Sequence, residues 1–159
     1  MNTPEPARPD ADAPADLAPD PGTSGPAPQP ASLELDHVAI AVRSFDEVQG
    51  LLEGLTGNSA TSPERVESQG VEICFVGNVE LIRPVAPDNG VARFIARHGP
   101  GLHHIAYRTP DVATLMRELE AAGYRFTSAA PMRGAGGHRI AFMHPKSTGG
   151  VLVELVERG

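Results

Sequence analysis

Leu35–Val42 reads LDHVAIAV, and 67 residues further on Leu102–Arg108 reads LHHIAYR. In the first stretch Val38, Ile40 and Val42 alternate with His37, Ala39 and Ala41. That period of two is the signature of a β-strand with two different faces. The second stretch repeats the pattern, His103-His104-Ile105-Ala106 standing against Asp36-His37-Val38-Ala39. A histidine therefore holds the same place in both strands, and the chain is expected to contain one supersecondary module twice.

The flanking sequence supports the duplication. After the first strand, Ser44-Phe45-Asp46-Glu47 matches a capping box, and Phe45, Val48, Leu51, Leu52 and Leu55 mark one helical face that Gly57 closes. Val71–Val76 and Val79–Arg83 read as strands joined tightly at Gly77-Asn78, with a weaker strand between Ser59 and Glu67. After the second strand, Thr109-Pro110-Asp111 opens a helix with Pro110 in its first turn. Its apolar face is Val112, Leu115, Leu119 and Ala122, and Gly123 ends it. Tyr124–Thr127, His138–Met143 and Gly150–Val156 are the remaining strands. Asp88-Asn89-Gly90 caps a linker helix, about 88–98, between modules of about 33–85 and 100–159.

A second pair of residues recurs. Glu80 lies in Val-Glu-Leu-Ile and Glu154 in Val-Glu-Leu-Val, 74 residues apart. The second copy is thus longer by an insertion in Pro131–Gly137 or Pro145–Gly150. Each His and Glu interrupts an apolar strand, where an unpaired charge is costly. A divalent cation shared by His37, Glu80, His104 and Glu154 removes that cost, and N/O ligands suit Zn, Mn, Co, Ni or Fe(II). Strand parity sets His103 opposite His104, which reads as a structural position. His98, His138 and His144 fall in loops or at strand ends.

Composition narrows the function. Of 159 residues, 40% are hydrophobic, enough for a core, but only 4% are aromatic, and the formal charge is −7. Neither a stacking platform nor a basic face for nucleic acid is expected. No stretch has the apolar length of a membrane span. Cys74 is the single cysteine, which fits a reducing, cytoplasmic setting. Residues 1–32 hold more than half of the prolines, mixed with Ala, Asp, Gly and Ser, and read as a disordered tail.

Leu33–Gly159 resembles the vicinal oxygen chelate (glyoxalase/bleomycin-resistance) superfamily, and within it the methylmalonyl-CoA epimerases. The resemblance rests on Leu35–Val42, Val79–Pro84 (VELIRP), Gly101–Ala106 (GLHHIA) and Gly134–Glu157 (GAGGHRIAFMHPKSTGGVLVELVE). It implies an α+β fold whose two tandem β-α-β-β-β modules form a curved mixed sheet around a metal site. The ligands of one divalent ion (Co, Mn, Ni or Zn) would be His37, Glu80, His104 and Glu154, although some relatives have Gln at the place of Glu80.

The implied reaction interconverts (R)- and (S)-methylmalonyl-CoA by removing and returning the C2 proton, with a cation stabilising the enolate. Glu72 and Glu154 would be the general acid/base pair. Lys146, Ser147, Thr148 and Gly149 would receive the CoA phosphates. A homodimer is expected by the same analogy. Two other readings stay open. A lactoylglutathione lyase would use a similar metal site, but such enzymes tend to have an Asp-Pro-Asp-Gly turn where this chain has His144–Gly150. A non-catalytic ligand-binding protein of this fold would generally lack the four ligands.

Overall fold

Each copy of the repeat folds into a four-stranded half-sheet, and the halves join along their first strands. The computed structural model describes residues 32–159, so the expected tail lies, but for Ser32, outside the described residues. The first copy comprises β1 (Glu34–Ala41), α1 (Gln49–Thr56), β2 (Glu64–Val66), β3 (Val71–Val76) and β4 (Val79–Pro84). The linker helix α2 (Gly90–His98) follows. The second copy comprises β5 (Gly101–Arg108), α3 (Val112–Ala121), β6 (Met132–Arg133), β7 (Arg139–Met143) and β8 (Val153–Glu157). The sheet order is β2-β3-β4-β1-β5-β8-β7-β6. β1 runs parallel to β4, β5 runs parallel to β8, and β1 meets β5 antiparallel. This is the duplicated α+β architecture expected from the sequence.

Two layers of side chains hold the sheet in place. One face of the first half packs Val42, Cys74 and Leu81 against Phe45, Val48 and Leu52. The corresponding face of the second half packs Leu155, Ala141 and Met143 against Val112, Leu115, Met116 and Leu119 of α3. The other, concave face is lined by Val66, Val71, Ile73, Ile82, Ile140 and Val156, among others. Val91 and Ile95 of α2 pack on the same concave cluster as Ala39 and Ala41. Small residues there leave room for the helix.

Several expected boundaries shift for local reasons. The capping box forms, with the Ser44 N–H donating to Glu47 Oε1 at 2.8 Å. It opens only a 3-10 turn, Phe45–Glu47, and a break at Val48 (φ −140°, ψ −14°) precedes α1. That break rotates the helix, so Leu51 and Leu55 are exposed rather than buried. The second helix is capped by Asp111, whose carboxylate accepts from the Thr114 N–H at 3.0 Å. Pro110 therefore lies before the cap, not in the first turn. Tyr124–Thr127 contributes one isolated bridge, Phe126 to Met143, instead of a strand. The last strand begins at Val153, not Gly150. Two residues join β3 to β4, whereas 144–152 join β7 to β8, which locates the insertion in the second of the two expected loops. Among the described residues, no helix is long and apolar enough to cross a membrane.

Candidate metal centre

The alternation of β1 aims His37 at the concave face, and the same alternation aims Glu80 and Ile82 from β4, His104 from β5, and Glu154 and Val156 from β8. Register completes the convergence. Ala39 pairs with Glu80 across the parallel ladder, and Ala106 with Glu154 across its counterpart. His37 pairs with Ala106, and Ala39 with His104, at the joint of the halves. Each polar side chain thus faces its equivalents over alanines.

The four groups meet at one buried point, each of the residues no more than 6% exposed. The two imidazole Nε2 atoms are 3.4 Å apart. Glu154 Oε2 lies 3.2 Å from His37 Nε2 and 3.0 Å from His104 Nε2. Glu80 Oε2 lies 3.7 and 3.6 Å from the same atoms. Donor atoms about 2.1 Å from one cation are separated by about 3.0 Å in an octahedron and about 3.4 Å in a tetrahedron. The observed separations therefore suit one shared ion, and the donor set suits a borderline divalent metal. His37, Glu80 and His104 already offer atoms that all lie within 4.8 Å of one another.

The electrostatics agree. Burial works to lower His37, yet its hydrogen bonds to Glu154 and Asp36 and the charge of Glu80 raise it to about 9. Burial likewise works to raise Glu154, but hydrogen bonds and charge from His104 and His37 outweigh it and hold the carboxyl low. Glu80 is raised, chiefly by burial. A proton on His37 Nε2 stands where a cation would serve the same carboxylates.

Phe75 and Phe142 repeat the symmetry. Each crosses one histidine edge-on, Phe75 on His37 at 5.4 Å and Phe142 on His104 at 5.3 Å between ring centroids. Each also sits opposite one glutamate, Phe75 facing Glu80 and Phe142 facing Glu154. The two rings thus form apolar walls beside the four candidate ligands.

Glu72 does not join the site. Val71, Ile73 and Phe75 of β3 line the cavity, so Glu72 points to the opposite side of the sheet. There it pairs across the strand with Arg83, whose Nε donates to Glu72 Oε2 at 2.7 Å. Glu72 was expected as a base, and the structure sets it apart from the four candidate ligands: Ile73 occupies the place on β3 that faces the cavity. The Lys146–Gly149 turn also lies outside the cavity lining. Its hydroxyls serve the turn itself, Ser147 Oγ donating to the His144 carbonyl at 3.0 Å and Thr148 Oγ1 to the Pro145 carbonyl at 3.3 Å.

Sequence parity missed Asp36 and His103. Both lie beside the candidate ligand histidines in β-bulges and hydrogen-bond to their rings. Arg158, at the chain end, lines the cavity and donates through Nε to Asp36 Oδ2 at 2.7 Å. The matching offset of Asp36 and His103 was the available signal.

Comparison with known proteins gives a consistent picture. Residues 36–142 match the model of the Glyoxalase/Bleomycin resistance protein/Dioxygenase superfamily. A mitochondrial methylmalonyl-CoA epimerase of Dictyostelium discoideum is 33% identical over 130 residues, covering 79% of this chain and 78% of that protein. The crystal structure of methylmalonyl-CoA epimerase from Mycobacterium tuberculosis superimposes with a TM-score of 0.74 at 32% identity, covering 79% of this chain and 87% of that one. A Streptomyces coelicolor methylmalonyl-CoA epimerase variant, in complex with 2-nitronate-propionyl-CoA, gives a TM-score of 0.73 at 34% identity, covering 79% and 97%.

Proposed function

The chain belongs to the glyoxalase/bleomycin resistance protein/dioxygenase superfamily, and on that premise we propose that it is a metal-dependent epimerase that interconverts the C2 epimers of methylmalonyl-CoA. The observation that carries this reading is the buried convergence of His37, Glu80, His104 and Glu154 in a cavity lined by apolar residues such as Ile73, Ile140 and Phe142 and by polar ones such as Glu64 and Arg158. It is supported by relatives and solved structures named for that activity.

The chemistry asks for removal of a proton between a thioester and a carboxylate, then its return to the other face. The four residues would hold a divalent ion, which when bound would supply positive charge to stabilise an enolate. The protein's own residues do the rest. His37 and His104 would hold the ion through Nε2. Glu80 and Glu154 turn Oε2 towards the imidazoles, and these two carboxylates are the candidate acid/base pair of this reading. β4 and β8 hold equivalent places in the two halves, so each module contributes one of these carboxylates to the site. Two-base epimerisation calls for two such groups. The apolar wall of Ile73, Ile140 and Phe142 suits the C2 methyl group and limits water. The Lys146–Gly149 turn lies outside the cavity, so any contact it makes is with the part of CoA left outside.

Incubation of the metal-loaded protein with one methylmalonyl-CoA epimer in deuterated water tests the proposal. Deuterium is expected at C2 together with racemisation. No exchange, alongside turnover of the methylglyoxal–glutathione adduct, would replace this reading with a lactoylglutathione lyase.

A further inference from the structure

The joint between β1 and β5 is interrupted twice. Glu34 and Leu35 pair with Arg108 and Tyr107, but the next pair is His37 with Ala106, so Asp36 is an extra residue. Ala39 pairs with His104 and Ile40 with Leu102, so His103 is an extra residue on the other strand. Each is a β-bulge, the device by which a strand re-aims one side chain without losing its register. Both fall immediately before a ligand histidine, 67 residues apart.

The re-aimed side chains reach the ring nitrogens that face away from the metal site. Asp36 Oδ1 lies 2.8 Å from His37 Nδ1. His103 Nδ1 lies 2.8 Å from His104 Nδ1. A histidine that ligates through Nε2 has its proton on Nδ1, so His37 Nδ1–H donates to the Asp36 carboxylate. His104 Nδ1–H likewise donates to an unprotonated Nδ1 of His103. Asp36 is itself fixed by Arg158 and by Arg108, whose Nε donates to Asp36 Oδ2 at 3.1 Å. His103 is held edge-on by the Phe94 ring of α2, 4.9 Å between centroids.

We infer that Asp36 and His103 are paired positioning residues, one per module, each presented by a bulge to fix its histidine in the tautomer that offers Nε2 to the metal. The pair is chemically unequal. His37 leans on an anion and is the more basic ligand, whereas His104 leans on a neutral imidazole. The bulges would otherwise only weaken the central joint of the sheet. This inference rests on the metal centre proposed above.

Co2+ alone, titrated into the full chain and followed by its visible absorption, separates the two. Wild type is expected to take one ion per chain. His103→Leu and Asp36→Leu are each expected to weaken binding by about 10- to 100-fold, the usual effect of removing such an outer partner. His103→Asn, whose Oδ1 can accept in place of Nδ1, is expected to recover most of the loss. Leucine variants that keep a wild-type circular dichroism spectrum and wild-type affinity would overturn the inference, as would an asparagine variant no better than leucine. Should the leucine variants not fold, 15N-labelled wild type loaded with Zn2+ decides. Long-range 1H–15N correlations are expected to show Nδ1–H on both His37 and His104, and coordination through Nδ1 of either would overturn the inference. A wild type that takes up no Co2+ would instead sink the metal centre itself.

Discussion

Glu72 and Ile73 are adjacent on β3 and lie on opposite faces of the sheet. Ile73 lines the cavity, while Glu72 faces Arg83 on the other side. Part-exposed ion pairs of this kind contribute little to stability. Glu72→Gln is therefore expected to leave both metal content and C2 exchange within about twofold of wild type, measured by metal analysis and deuterium incorporation. A hundredfold loss of exchange would return Glu72 to the catalytic set. The four candidate ligands were legible in the sequence because each is a polar residue in an apolar strand and each recurs. The place of Glu72 was harder to read, because the resemblance pointed to the site while its own parity pointed away from Ile73 and Phe75. Asp36 and His103 share an offset, but their contact with the candidate ligands was not legible, for the reverse reason. Strict alternation places them opposite their histidines, and a bulge is a feature of the pairing between two strands, absent from either strand alone.

At the scale of elements, the strands facing the cavity were the most legible part, since half-buried strands write a period of two. Helix α1 was the least, because the break at Val48 turns Leu51 and Leu55 outward in a way no helical period records. The segment between α3 and β7 illustrates a tertiary constraint. A Cβ on Gly134 would lie 2.9 Å from both Cδ1 and Cγ2 of Ile140, closer than real side chains approach. Gly134 has an ordinary negative φ, so the requirement is space, not backbone conformation. Gly134→Ala should push Ile140 towards the cavity and cost about 1–3 kcal/mol by overpacking, read as a lower denaturant midpoint. An unchanged midpoint would show that the loop yields freely.

For the molecule as a whole, duplication explains the site. Two equivalent half-sheets place one histidine and one glutamate each on either side of a shared axis, and antiparallel pairing of β1 with β5 brings the two sets together. Neither half alone offers four donors. The sequence revealed the repeat through its offsets, but the meeting of the two halves depends on register between strands far apart in the chain. The measurement that bears most directly on this account is C2 hydrogen exchange by the full chain before and after removal of metal by a chelator. Exchange is predicted to vanish in the stripped protein and to return with one equivalent of divalent ion per chain. Undiminished exchange in the stripped protein would contradict the metal-centred account.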